Sequence, residues 1–394
     1  MDIKDHIKNL AANFHKEIIA VRNHLHANPE LSYKEFNTSK YICSILSSLN
    51  IEFETGFVKT GIIGAVKGRN ASKKTVAIRA DMDALPIIEQ NKVPYKSIHP
   101  GIMHACGHDV HIATVLGAAK ILNELKDQFE GTVKLLFQPA EEKLPGGAFL
   151  MIQEGVLDLL NSSAIFSNHV MPSIDAGKVG FRAGMYMASA DEIYITVIGK
   201  GGHAALPELN LNPIPIAAEI ILELKKINPG DKSIPMVLSF GKISAEGATN
   251  VIPSEVKLEG TFRTMDEKWR VKAHQLITDK ANTIAQSQGA SCEVLIKKGY
   301  PCLINDEKLT KKARSFAEDY LGVENVETLD LRMTSDDFAY FSHAMPGCYY
   351  RLGVRNEAKG ITSGVHTPNF NIDEKALETG MGLMAWIAVN ELSG

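Results

Sequence analysis

Apolar residues recur at helical spacing from the start of the chain. Ile7, Leu10, Phe14, Ile18, Ile19 and Val21 predict an amphipathic helix. Asn37-Thr38-Ser39 leads into a second helical pattern through Ile42, Ile45 and Leu46. Short apolar runs then alternate with longer amphipathic stretches. Thr75-Val76-Ala77-Ile78 reads as a strand, as do Val133-Lys134-Leu135-Leu136-Phe137, opened by Gly131, and Ala164-Ile165-Phe166-Ser167. Between the first two lies a helix through Ile112, Val115, Leu116, Ala119, Leu122 and Leu125. Strands alternating with helices of this length predict an α/β fold on a parallel sheet.

From about residue 185 the texture changes. Strands are expected over 192–198, 237–243, 255–264 and 292–296, and helices through Ile216, Ile220, Ile221 and Leu224 and over 267–288. In the third strand Val256, Leu258, Gly260 and Phe262 alternate with Lys257, Glu259, Thr261 and Arg263, the period-2 pattern of a sheet with one wet face. The order β-α-β-β-α-β is that of a small α/β sandwich, inserted as residues 185–296 into a first domain made of 1–184 and 297–394. The first domain resumes with a helix near 306–321, a strand from Gly347 to Leu352 and a C-terminal helix from about Glu374.

At 394 residues the chain exceeds the ~250–300 at which one core stops growing, which agrees with two domains. Lys plus Arg number 42 and Asp plus Glu 46, a net charge of −4 that offers no electrostatic reason for nucleic acid or an anionic membrane. No apolar run is long enough to span a bilayer. The charged start Met1-Asp2-Ile3-Lys4-Asp5-His6 does not read as a signal peptide, so a cytoplasmic protein is expected. The five cysteines, Cys43, Cys106, Cys292, Cys302 and Cys348, are odd in number and widely spaced, against a disulfide framework.

The strand-like runs end in groups able to bind metal. Arg79, Asp81 and Asp83 follow the first, Gln138-Pro139-Ala140-Glu141-Glu142 the second, Asn168 and His169 the third. Sites in open α/β sheets form outside the carboxyl ends of strands. His104-Ala105-Cys106-Gly107-His108-Asp109-Val110-His111 precedes a helix, where a thiol has a lowered pKa. Alone, Cys106 reads more readily as a buried structural thiol. Beside Glu141-Glu142 and His169, Cys106 and His108 read as metal ligands. Two adjacent carboxylates are usually a solvated turn. Between Pro139 and Pro145-Gly146-Gly147 they sit on a strand-end loop, where one can bind metal and the other take a proton from water.

Several motifs resemble the di-metal amidohydrolase branch of the aminoacylase and carboxypeptidase clan, which includes hippurate hydrolases, plant auxin–amino-acid conjugate hydrolases and N-acetyldiaminopimelate deacetylases. They are His24-Leu25-His26-Ala27-Asn28-Pro29-Glu30-Leu31, Arg79-Ala80-Asp81-Met82-Asp83-Ala84-Leu85-Pro86, Met103-His104-Ala105-Cys106-Gly107-His108-Asp109, Phe137-Gln138-Pro139-Ala140-Glu141-Glu142, Asn168-His169, Gly199-Lys200-Gly201-Gly202-His203-Ala204-Ala205, Asn250-Val251-Ile252-Pro253 and Ser335-Asp336-Asp337-Phe338. The resemblance runs in order to the region of His366.

It implies a zinc-peptidase-like catalytic domain with a mixed or parallel central sheet and a ferredoxin-like lid or dimerisation domain. It implies two divalent ions, zinc or manganese. Cys106, His108, Glu142, His169 and His366 would be ligands, with Cys106 bridging, Glu142 and His366 on one ion, and His108 and His169 on the other. Glu141 would be the general base and Asp83 would orient a ligand. His203 would stabilise the oxyanion, in a partner subunit's site if the protein is a homodimer or larger homo-oligomer. Asn250 and Arg263 would bind substrate. Asp81 stands where other branches have a ligand His, so its role is open, and Asp336 and Asp337 lie outside the ligand set. His104 and His111 flank the ligands as hydrogen-bond partners, and His24 and His26 carry no assigned chemistry.

The activity so implied is hydrolysis of an N-acyl amino acid by metal-activated water. A dipeptidase or carboxypeptidase using the same site is the alternative. A metal-binding sensor is disfavoured by the spare base Glu141, and a thiol redox protein by the lack of a Cys-x-x-Cys pair.

Overall fold

A computed structural model describes residues 2–394. The chain opens with α1 (Ile3–Ala27) and α2 (Phe36–Ser48). Strands β1 (Glu52–Phe57), β2 (Gly61–Lys67) and β3 (Thr75–Asp81) follow, then α3 (His108–Glu124), β4 (Thr132–Gln138), β5 (Ile165–Asp175) and β6 (Val179–Phe181). Next come β7 (Asp191–Ile198), β8 (Gly202–His203), α4 (Pro213–Leu224), β9 (Met236–Ser244), β10 (Val251–Ile252), β11 (Glu255–Thr264), α5 (Glu267–Ser287) and β12 (Ser291–Lys298). The chain closes with α6 (Glu307–Leu321), β13 (Val326–Thr328), β14 (Gly347–Arg355) and α7 (Lys375–Ser393).

These elements form two compact units. One holds the residues up to Gly184, Ile304–Asp330 and Asp337–Gly394. The other holds Met185–Leu303 and Leu331–Asp336. Nothing in the hydropathy pattern marks Leu331–Asp336 for the second unit.

The first unit carries an eight-stranded sheet in the order β1-β2-β4-β3-β5-β14-β6-β13. Its centre, β4-β3-β5-β14, is parallel, whereas β1-β2, β2-β4 and β14-β6 are antiparallel, so the sheet is mixed. The central strands are buried almost throughout, as expected of strands covered on both faces. Helices α1, α3 and α7 pack into one core with them, through Ile7, Ile18, Leu25, Val115, Leu122, Met381 and Leu392. Each such side chain contributes roughly 1.5–3 kcal/mol on burial. α1 also buries two polar residues on this face, Arg22 and His26.

The antiparallel β1–β2 pair was not read from the sequence. β5 also extends well past Ser167, so Asn168 and His169 lie inside a strand. Polar residues late in a buried strand break the apolar run that marks it, and of these two His169 faces the site.

The second unit has a four-stranded antiparallel sheet, β9-β11-β7-β12. α4 and α5 bury Ile216, Ile220, Trp269 and Ile277 with Val197, Leu258 and Phe262 of the strands. Both helices begin at side-chain caps: Asn212 accepts from Ile214 N–H, and Asp266 from Trp269 N–H. A separate ribbon pairs β8 with β10. Among the described residues no helix is long and apolar enough to cross a membrane.

Candidate metal centre

β3, β4 and β5 are neighbours and parallel, so their carboxyl ends meet at one edge of the sheet. Asp81 ends β3, Gln138 ends β4, and His169 lies on β5. The N-terminus of α3 arrives at the same edge with Cys106 and His108. Gly107 between them has φ +84°, and a Cβ there would come within 2.6 Å of Val170 Cγ2. Only glycine fits, and it turns both side chains toward the same point. On the loop after β4, a Cβ on Gly147 would fall 1.7 Å from the Pro139 carbonyl, so that loop closes tightly behind Glu141 and Glu142.

Cys106 Sγ stands between two groups. It is 3.3 Å from His169 Nε2 and 3.3 Å from His366 Nε2. His366 Nε2 is in turn 3.1 Å from Glu142 Oε1, and His108 Nε2 is 4.0 Å from the same oxygen and 4.0 Å from Glu141 Oε2. Ligand atoms of Cys106, His108 and His169 lie within 4.8 Å of one another, as do those of Cys106, Glu142 and His366. All five sequence-predicted ligands therefore converge, with the thiol shared. His366 is exposed and holds a left-handed backbone (φ +60°), anchored by its N–H to the Ala105 carbonyl at 2.7 Å.

The surrounding hydrogen bonds set the ring orientations. His169 Nδ1 donates to the Val170 carbonyl at 2.8 Å, which leaves Nε2 with its lone pair toward the thiol. Asp83 lies 3.3 Å from His108 Nδ1, with Nε2 pointing the other way, the carboxylate–histidine arrangement that prepares an imidazole for a metal. His111 lies one helical turn from His108 and has both ring nitrogens engaged. Its Nδ1 contacts Asp81 Oδ1 at 2.5 Å, and its Nε2 accepts from Val170 N–H at 3.0 Å. Asp81 also accepts from Arg79 Nη1 at 2.7 Å, so it braces His111 and Arg79. Asp337 accepts from Arg79, Gln138 and the Ala148 N–H. His104 is buried with no hydrogen-bond partner for either nitrogen, and burial pushes its pKa down to about 4. It is a neutral packed ring, not the partner the sequence predicts.

A cation fits this centre. His108 Nε2 is buried without a hydrogen-bond partner, a costly state unless something fills the space it faces. Asp81, Asp83, Glu141 and Glu142 crowd together. Burial opposes protonation of His108, but Asp81, Asp83 and Glu142 outweigh it and raise its pKa to about 10. The ring takes up a proton where no cation stands. The Cys106 thiol differs from the sequence expectation. Burial, then Glu142 and Glu141, hold its pKa well above the ordinary value, and these exceed any help from the start of α3.

The sequence matches the peptidase family M20/M25/M40 over residues 77–390. The chain belongs to that family. It is 37% identical over 397 residues to thermostable carboxypeptidase 2 of Saccharolobus solfataricus, covering 99% of each chain. It is 37% identical over 369 residues to the N-acetyl-L-cysteine deacetylase of Bacillus subtilis, covering 92% of this chain and 85% of that one. Among solved structures it resembles the YXEP protein of Bacillus subtilis, described as a dinuclear metal binding peptidase, with a TM-score of 0.83, 34% identity, and coverage of 97% and 99%. The resemblance read from the motifs holds, and this M20/M25/M40 member is a metallopeptidase-like hydrolase of amide bonds.

The other predicted site residues of the M20/M25/M40 chain lie in the second unit. Pairing of β8 with β10 brings His203 and Asn250 together, and Ala204 N–H donates to the Asn250 carbonyl at 3.0 Å. His203 is exposed. Its Nδ1 accepts from Ala205 N–H at 3.1 Å, so the ring proton sits on Nε2. Arg263 is half-buried on β11 and donates to the Met333 carbonyl at 3.0 Å, away from that ribbon.

Proposed function

We propose that the protein hydrolyses the amide bond of N-acyl amino acids, releasing a carboxylic acid and the free amino acid. The observation that carries this is Cys106 standing between the His108–His169 and Glu142–His366 pairs, with Glu141 beside them on the Glu142 loop. Two divalent ions, zinc or manganese by the mixed thiolate, imidazole and carboxylate donors, would supply an acidified water and a polarised amide carbonyl. Cys106, His108, His169, Glu142 and His366 would hold them. Glu141 takes a proton from the attacking water as oxygen bonds to the amide carbon. It returns that proton to the nitrogen as the C–N bond breaks, which leaves acid and amine. Asp83 fixes the His108 ring. His203, with its proton on Nε2, donates to the developing oxyanion, within its own chain or in a partner subunit's site. Asn250 binds the substrate's carboxylate or carbonyl, and Arg263 is a further substrate-binding residue. The inserted unit, read as a ferredoxin-like lid and dimerisation domain, carries these three residues.

A carboxypeptidase or dipeptidase activity at the same site is a second reading, favoured by the carboxypeptidase relative at 37% identity. The test is amine release from N-acetyl, N-benzoyl and N-succinyl amino acids and from dipeptides, with zinc and with manganese. Release from acylated amino acids alone supports the first reading, and release from dipeptides alone replaces it with the second.

A further inference from the structure

The segment after the N-terminal His24–Leu31 motif has no role in the chemistry above, yet it reaches the loop that carries the proposed base. Glu35 is fully buried. Its Oε1 accepts from Ala140 N–H at 2.9 Å and from Tyr33 N–H at 2.9 Å, and its Oε2 accepts from Thr60 Oγ1 at 3.0 Å. The next two amides of the same loop are held by one other carboxylate. Glu141 N–H donates to Asp83 Oδ1 at 3.0 Å and Glu142 N–H to Asp83 Oδ2 at 2.9 Å. Ser32, three residues before Glu35, donates to that Asp83 oxygen at 2.6 Å.

Three consecutive N–H groups, of residues 140, 141 and 142, thus point into two buried carboxylates. The loop needs such a hold. Ala140 has φ +53°, a left-handed conformation that a residue with a Cβ adopts only when its surroundings impose it. Turning that peptide back would swing Glu141 off its present direction. Burial, and the charge of Asp83, push Glu35 up to about 7, so placing an acid here is unfavourable in itself.

We infer that Glu35 is a positioning residue for the general base: by holding the left-handed Ala140 peptide it aims the Glu141 carboxylate at the attacking water. The inference rests on the proposed role of Glu141. It assigns Glu35 no contact with substrate or metal.

The experiment uses Glu35→Ala, Glu35→Asp, Glu35→Gln and Glu141→Gln in the full chain, on the best substrate of the panel above, with metal content measured for each. Glutamine keeps an oxygen of the right reach for the Ala140 N–H, whereas aspartate is one methylene too short. Glu35→Ala and Glu35→Asp should lower kcat about 10- to 100-fold with KM and metal content unchanged. Glu35→Gln should keep kcat within about threefold of the parent. A normal kcat in Glu35→Ala overturns the inference. So does a Glu35→Gln as impaired as Glu35→Asp, or a loss of metal that parallels the loss of kcat, which would tie Glu35 to Glu142 and not to Glu141. If the alanine variant does not fold, the aspartate–glutamine contrast decides. Full activity in Glu141→Gln would instead remove the base reading itself. An inactive Glu141→Gln beside a normal Glu35→Ala would remove only the inference about Glu35.

Discussion

His108 and Asp109 are adjacent in the chain and face two different buried clusters. Asp109 Oδ2 accepts from Arg22 Nε at 2.8 Å and contacts His26 Nδ1 at 2.7 Å, and His26 Nε2 lies 3.2 Å from Glu89. The groups alternate: guanidinium, carboxylate, imidazole, carboxylate. Burial and Arg22 oppose a charged His26, but Asp109 and Glu89 outweigh them and raise its pKa. Despite burial, Arg22 and His26 hold Asp109 far below the usual carboxylate range. On the other side, His108 meets Asp81, Asp83, Glu141 and Glu142, and the nearby Arg79 is shared between Asp81 and Asp337. Both clusters are rich in histidine and carboxylate. In one, Arg22 and His26 face the carboxylates of Asp109 and Glu89; in the other, four carboxylates crowd around His108, and Arg79 reaches only Asp81 among them. Charge balance, more than residue type, separates a structural ion network from a metal centre.

That contrast can be tested from either side. The largest expected effect is on turnover. Glu141→Gln should reduce kcat about 1000-fold while the metal stays bound, as kinetics and elemental analysis on one sample would record. Unchanged turnover would mean the carboxylate excess serves only to hold cations. Next, Cys106→Ala should weaken metal binding about 100-fold in a chelator competition, because both ligand pairs lose their shared donor. Full metal occupancy would take the thiol out of the ligand set. In the balanced cluster, His26→Gln should destabilise folding by about 3 kcal/mol in denaturant titrations and leave metal affinity alone. Loss of metal there would join the two clusters into one.

The smallest effect is one of pH. With metal removed by chelator, His108 has its pKa raised from 6.5 to about 10. A raised folded-state pKa adds stability that is complete below 6.5 and disappears as the pH climbs through 10. The metal-free protein should therefore lose several degrees of Tm across that window. The metal-loaded protein, whose His108 would hold a cation in place of the proton, should not. Parallel Tm–pH curves would show that no cation replaces that proton.

Much of both units was legible because apolar periodicity is a local property. The helices at Glu307–Leu321 and Lys375–Ser393 and the strand Glu255–Thr264 fall within a residue or two of where the pattern puts them. The β1–β2 pair was missed because its exposed Glu52, Glu54 and Thr55 mask the alternation. β5 was cut short because Asn168 and His169 are polar inside a buried strand. Of the site, the ligand types could be read from Cys106-Gly107-His108 and Glu141-Glu142. Glu35 could not, since a lone glutamate before a helix reads as solvated. His111 reads as a hydrogen-bond partner from its place beside the ligands, and its bonds to Asp81 and Val170 agree with that.

The sequence by itself determined the α/β alternation, the change of texture near residue 185, the side chains able to bind metal and the family motifs. All of these depend on residue identity and short-range spacing. Only the tertiary structure decided which histidine nitrogens are occupied by hydrogen bonds, how the buried charges group, and that Glu35 meets Ala140 across 105 residues of chain. Those outcomes depend on distance and burial. A charge is costly or harmless according to what surrounds it, and its surroundings exist only once distant segments have packed.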